Sequence, residues 1–213
     1  MHEETILVIG DKAWSSWSLR PWLAAKLAKV PFREAQVRLR QPDTAEQIAC
    51  HSPSGRVPAL QRGGLTIWDS LAICEYLAEI APEARLWPED ADARAVARSV
   101  SAEMHSGFHA LRKEFPMDFH ARIEGRTPSD QARTDIKRVA EIWRDCRRGF
   151  GANGSFLFGA FSIADAMYAP VATRFRTYAI DLARYGDDGT AANYAETLLA
   201  MPKMIEWGQG AAR

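Results

Sequence analysis

The chain has 213 residues, enough for one domain or two compact ones, and 47% of them are hydrophobic, ample for a real core. Basic and acidic side chains number 27 each, so the formal net charge is zero, which argues against nucleic-acid or membrane-surface binding driven by bulk charge. No apolar run approaches the roughly 18 residues of a membrane span, the acidic start Met1-His2-Glu3-Glu4 precedes too short an apolar run for a signal peptide, and three scattered cysteines (Cys50, Cys74, Cys146) with no CxxC pair fit a reducing cytoplasm.

Ile6-Leu7-Val8-Ile9, closed by Gly10-Asp11, predicts a buried strand. It hands over to Trp14-Ser15-Ser16-Trp17-Ser18-Leu19-Arg20-Pro21-Trp22, the stretch around which the rest of the chain is organised. Leu19, Trp22, Leu23 and Leu27 recur at helical spacing up to Ala28. Pro21 falls in the first turn of that predicted helix and Pro31 ends it. Three serine hydroxyls thus stand where a strand meets a helix start, with free backbone N–H groups and a partial positive charge that suit an anion. Plain helix capping by Ser15 or Ser16 is the other use of the same residues.

Phe32 to Leu39 alternates as a second strand, and Thr44 to Cys50 is a short helix candidate. After the loop Ser52-Pro53-Ser54-Gly55, Arg56 to Gln61 reads as a strand. It is joined through Gly63-Gly64 in a hairpin to Leu65-Thr66-Ile67-Trp68. Asp69-Ser70 opens a helix whose apolar positions Leu71, Ile73, Cys74, Leu77 and Ile80 share a face.

Residues 81–92 carry two prolines and much charge and read as a linker. Strand signals then stop. Ala93 to Phe115 is one long amphipathic helix ended by Pro116, and a second runs from Pro128-Ser129-Asp130 to Arg148. Gly149 to Gly154 is a break too irregular for a phosphate loop. Ser162-Ile163-Ala164-Asp165 is a capping-box-like start for a buried helix over Ala166 to Phe175. A last helix spans Ala191 to Ala200, and there is no internal repeat. His105 and His109 lie four apart, but no cysteine or second carboxylate–histidine motif joins them, so no metal site is expected.

The order strand, helix, strand, helix, strand, strand, helix is thioredoxin-like. Within it the Ser-Ser-x-Ser-x-Arg run from Ser15, the Val57-Pro58-Ala59-Leu60 strand and the Asp-Ser-Leu-Ala-Ile-x-Glu-Tyr-Leu helix from Asp69 together resemble the N-terminal domain of cytosolic glutathione S-transferases. The likeness is to serine-type bacterial and zeta-like members. The start at Ser162 resembles the folding motif of that family's C-terminal domain.

The resemblance implies an α/β thioredoxin-like, glutathione-binding domain over residues 1–81, a linker over 82–92 and an all-α helical-bundle, electrophile-binding domain over 93–213. Glutathione would be the co-substrate and the molecule a homodimer, with no metal, nucleic acid or membrane partner. A serine hydroxyl would stabilise the thiolate: Ser15 is the expected one, by position in zeta-like members, with Ser16, by its spacing from the arginine in theta-like ones, as the alternative. Trp17 stands where zeta-like members carry a cysteine, which excludes thiol–disulfide exchange there and departs from the isomerase pattern. Val57, before a cis Pro58, would pair with the cysteinyl amide. Ser70 would hold the γ-glutamyl carboxylate, with Asp69 facing the ammonium or capping the helix. Gln47 and Arg56 would reach the glycyl end. Trp14, Trp17, Met104, His105, Phe108, Leu111 and Arg112 are the candidates for the electrophile pocket.

The energies are of the required size. A cysteine-like thiol of pKa about 8.5 is about 3% ionised at pH 7, and lowering the pKa by two units takes about 2.7 kcal/mol. A helix start contributes roughly 0.3–1 kcal/mol and a hydroxyl donor to an anion about 1.5–3 kcal/mol. The expected activity is attack of glutathione on a small apolar electrophile in detoxification. A glutathione-dependent isomerase of the maleylacetoacetate type and a non-catalytic protein-binding module are the alternatives.

Overall fold

The structure, a computed structural model, describes residues 4–211. The outermost residues of the two predicted domains, 1–3 and 212–213, lie outside the described residues. Strands β1 (Thr5–Ile9), β2 (Arg33–Gln36), β3 (Ala59–Arg62) and β4 (Leu65–Trp68) form one mixed sheet in the order β2-β1-β3-β4. Helix α1 (Ser16–Leu27) carries the chain from β1 back to β2, so these two strands run parallel, with Ile6 opposite Arg33. β3 is antiparallel to β1, with Leu7 opposite Leu60, and to β4, with Leu60 opposite Ile67. The β3–β4 turn is made at Gly63 and Gly64, both at positive φ, a conformation that side chains with a Cβ rarely adopt.

Alternation along the strands separates two apolar layers. Leu7, Ile9 and Leu60 join the main core with α1 and α3 (Ser70–Ile80). Val8, Val37, Ala59 and Ile48, the last on α2 (Thr44–Ala49), form a smaller cluster on the other face. Beyond a 3-10 turn at Pro82–Ala84 the chain is helical: α4 (Ala91–Ser106), α5 (His109–Glu114), α6 (Asp130–Phe150), α7 (Ile163–Thr177), a 3-10 turn at Leu182–Tyr185, α8 (Thr190–Leu199) and α9 (Pro202–Gln209).

Four expectations are corrected. First, α1 begins at Ser16, so Pro21 lies in the second turn and not the first. Second, β2 stops at Gln36, because β1 offers partners only as far as Ile9. Third, the helix expected over 93–115 is two helices, broken where Gly107 takes an extended ψ and Phe108 a φ of +59°. His105 and His109 therefore stand on different helices. Fourth, α9 was not expected. Its signal is only Pro202 at the first turn and two apolar positions, Met204 and Trp207, both fully buried.

Contacts between the two halves set the site. Helix α1 is buried on nearly all sides because it packs on α3, α7 and α9. Phe119 N–H donates to the Ala13 carbonyl, and Trp207 Nε1–H donates to the Lys12 carbonyl at 2.8 Å, so the loop between β1 and α1 is held from the helical half. At the start of α7, Asp165 is fully buried and accepts from Ser162 N–H, Ser162 Oγ–H, Leu157 N–H and Tyr194 O–H. No helix among the described residues is long and apolar enough to cross a membrane.

Candidate active site

A cleft of about 520 Å³ opens between the sheet and α4. Ser54, Arg56, Val57 and Pro58 line it from the loop before β3, and the Val57–Pro58 peptide is cis. Trp68, Asp69 and Ser70 line it from the turn into α3, Trp17 from α1, and His105 from the helical half. Two of these residues, Ser54 and Trp68, carry no signal in the sequence beyond standing next to Arg56 and Asp69.

The turn before α3 is built to hold a charge. Asp69 caps the helix through Oδ1, which accepts from Leu71 N–H at 2.9 Å and Ala72 N–H at 3.2 Å. Its φ is +75°, the left-handed region that non-glycine residues rarely enter. Its other oxygen, Oδ2, lies 3.0 Å from His105 Nε2. Ser70 is buried, and its Oγ accepts from Arg20 at 3.5 Å.

Ser15 and Ser16 are both nearly buried, beside Trp17, and neither lines the cleft as the structure stands. Ser15 is the N-cap residue of α1, yet its side chain makes no capping bond. Its Oγ–H donates to Ser18 Oγ at 2.7 Å, and Ser18 Oγ also accepts from Gly10 N–H. Ser16 Oγ instead accepts from the Arg174 guanidinium at 3.2 Å, and no acceptor among the described residues takes its own proton. Of the two hydroxyls, that of Ser16 is both uncommitted as a donor and polarised by a cation.

The surroundings are mainly basic, with Asp69 acting on Arg20 and Asp135 on Arg112. Arg20 and Arg174 are buried, and Arg112 is half-buried. Burial, together with the neighbouring charges of Arg112 and Arg174, lowers the Arg20 guanidinium to about 9. Burial and Arg112 lower Arg174 to about 10. Arg174 donates to the carbonyls of Phe115 and Pro170, and Arg112 to those of Met104 and His105, all neutral partners. Arg20 and Arg112 also stack on Trp17, at 4.3 and 4.7 Å from the ring centroid. Arg20 Nε, Arg112 Nε and His105 Nδ1 are buried with no hydrogen-bond partner among the described residues. Neither Arg20 nor Arg174 stood among the site residues expected from sequence. Three guanidinium groups gathered by α1, α5 and α7 are far apart in the chain and become neighbours only in the fold.

The remaining expected residues fall elsewhere. Met104, Phe108 and Leu111 are buried in the core between the helices. Trp14 is exposed and covered by Arg40. Gln47 is exposed on α2 and donates to Asp43. A larger hollow of about 710 Å³ lies between the start of α6 and residues 178–186 and shares no residue with the cleft. Its Arg133, Lys137 and Arg184 each pair with a carboxylate close by in the chain. Among the described residues no group of three or more His, Cys, Asp or Glu side chains is placed to hold a metal.

Comparison with known proteins gives the following. The family model "Glutathione S-transferase, N-terminal domain" matches residues 14–80, and "Glutathione S-transferase, C-terminal domain" matches residues 95–199. The chain is 36% identical over 101 residues to maleylacetoacetate isomerase of Rattus norvegicus, covering 46% of this chain and 47% of that protein. It is 27% identical over 183 residues to maleylpyruvate isomerase of a Ralstonia species, covering 80% and 83%. The chain thus spans about half the length of the first curated relatives it matches. In structure it is similar to a glutathione transferase homolog from Burkholderia GL BGR1 with bound glutathione, with a TM-score of 0.72, 22% identity and 98% of each chain covered.

Proposed function

The chain belongs to the glutathione S-transferase family, and from that premise we propose that it binds glutathione in the cleft between its two halves, ionises the thiol and presents it to a small electrophile. One observation carries the reading: Val57 and Pro58, Asp69 and Ser70, and Trp17 line a single cleft. Ser70, through its hydroxyl and its own N–H at the start of α3, receives the γ-glutamyl carboxylate, Asp69 the ammonium, and the Val57 main chain the cysteinyl amide. Arg56 is the wall residue suited to the glycyl carboxylate. In this reading residues 1–81 bind glutathione, 82–92 link, and 93–213 receive the electrophile. The working form is a cytoplasmic homodimer acting in detoxification.

The thiolate is stabilised by a serine hydroxyl and by the field of Arg20, Arg112 and Arg174. Ser16 is the stronger candidate donor, since Ser15 is committed to Ser18. Catalysis then comes from ionisation and positioning, without a covalent bond to the protein. The test is retention on immobilised glutathione together with conjugation of an aromatic halide, with the double variant Ser15→Ala/Ser16→Ala as control. Retention without turnover on a panel of electrophiles would favour a binding module.

A second reading is favoured by the arginines. Three guanidinium groups against two neighbouring carboxylates, Asp69 and Asp135, leave a positive excess that suits an anionic electrophile better than the apolar one expected from sequence. An unsaturated keto-dicarboxylate would accept the thiolate at its conjugated cis double bond, rotate about the resulting single bond and expel the thiolate as the trans isomer. Maleylacetoacetate and maleylpyruvate, named for the rat and Ralstonia relatives, are such compounds. Turnover of either with catalytic glutathione, reduced in Arg174→Met by a clearly larger factor than aromatic-halide conjugation, which shares only the thiolate, is the outcome this reading expects.

A further inference from the structure

The proposed glutathione site contains one feature that ligand recognition by the turn before α3 does not require. His105, on α4, reaches across the cleft to Asp69, with Nε2 3.0 Å from Oδ2. The ring is in edge contact with Trp17, at 5.2 Å between centroids, and the main chain beneath it is held by the bond from Arg112 to the His105 carbonyl. Its other nitrogen, Nδ1, is buried and unpartnered among the described residues. Asp69 keeps both oxygens occupied, Oδ1 by the helix N–H groups and Oδ2 by His105, yet its side chain is 42% exposed and lines the cleft.

Only one protonation state of that pair leaves Asp69 useful to a cationic ligand. A neutral His105 donating Nε2–H holds the carboxylate in place and leaves its full negative charge. A protonated His105 forms a closed ion pair with it, and an incoming ammonium would meet a neutralised carboxylate and a neighbouring cation. The charged groups facing the ring are Asp69 from the turn before α3, Arg20 from α1 and Arg112 from α5. Burial is the largest influence and, with smaller help from the two arginines, it outweighs Asp69 and pushes the imidazole below its ordinary value of 6.5, so the neutral form prevails at neutral pH.

We propose that His105 is a positioning residue of the glutathione site, a neutral donor from the helical half that aims the Asp69 carboxylate at the ligand's ammonium and blocks it once protonated. The inference rests on the reading that glutathione occupies this cleft. It makes recognition of the γ-glutamyl amino group a property of both halves, and it gives affinity an acid limit set by the protein.

The test is calorimetric titration with S-methylglutathione, which has no ionisable thiol, between about pH 7 and pH 5, where neither its carboxyls nor its amino group titrate. The wild-type protein is expected to lose affinity progressively toward pH 5, approaching about tenfold as the ring becomes fully protonated, roughly the effect of closing one partly exposed carboxylate to a cation. His105→Gln, which keeps an N–H donor but cannot take up a proton there, should bind a few-fold more weakly at pH 7 and show no further loss at pH 5. His105→Ala should bind about tenfold more weakly at pH 7, again without acid loss. His109→Gln, on α5 and outside the cleft, should keep the wild-type profile. The analogue lacking the amino group, S-methyl glutaryl-cysteinyl-glycine, should bind weakly and independently of pH. Binding of S-methylglutathione with a flat wild-type profile overturns the inference alone, as does acid loss that persists in His105→Gln or with the amino-free analogue. No binding to the wild-type protein at any pH overturns the reading of the site as well.

Discussion

At the scale of single residues the two serines illustrate how a motif can be legible while its roles are not. Both hydroxyls stand in sequence at the strand-to-helix junction, and sequence reasoning favours Ser15 with Ser16 as the alternative. The structure distinguishes them by their partners: Ser18 for Ser15, and Arg174, 158 positions away, for Ser16. If Ser16 donates to the thiolate, Ser16→Ala should raise the pKa of bound glutathione by about one to two units, equal to a lost bond of about 1.5–3 kcal/mol to an anion. Ultraviolet titration of the bound thiolate measures this. Ser15→Ala should shift the same curve by less, and the reverse order would return the role to Ser15.

At the scale of elements the start of α7 and the break after α4 carry the sharpest expectations. Asp165 accepts four hydrogen bonds, yet burial outweighs them and holds its carboxyl above the ordinary 3.8. The folded state therefore keeps this proton to higher pH than the unfolded chain does. Stability from this group is fullest below 3.8 and declines as pH rises through the folded-state value. Asp165→Asn cannot ionise and turns an N–H group toward existing donors. It should lower stability at pH 7 by about 1–3 kcal/mol and flatten the stability profile just above pH 3.8, as read by urea denaturation. At the break, a Cβ on Gly107 would stand 2.9 Å from the Glu103 carbonyl oxygen. Gly107→Ala should cost about 1–3 kcal/mol, seen as a lower melting temperature, and should displace His105 from Asp69.

At the scale of the whole molecule the helical half does more than cover the cleft. Trp207 of α9 packs edge-on to Trp22 of α1 at 5.2 Å and donates to the loop between β1 and α1. Lys12 sits over both rings while pairing with Glu34 at 2.6 Å. Trp207→Ala removes a fully buried ring and is expected to cost about 3–5 kcal/mol. The loss should appear at one temperature by far-ultraviolet dichroism and by tryptophan fluorescence. Separate melting of the two halves would show that α9 is not the tie between them.

The sequence by itself determined the order of elements from β1 to α3, the hairpin at Gly63-Gly64, the capped starts of α3 and α7 and the three glutathione S-transferase-like motifs. Each of these depends on residues close together in the chain: a turn's glycines, a cap's side chain or an apolar period. Tertiary structure alone decided which residues share the cleft, where α4 breaks, that α9 packs on α1, and that Arg20 and Arg112 stack on Trp17 while Arg174 reaches Ser16 beside it. Those outcomes turn on burial and on charges meeting across the domain junction, and neither leaves a periodic trace. A buried arginine reads the same in sequence as an exposed one. Its field becomes distinctive only when the fold removes the water and brings a second guanidinium to its side.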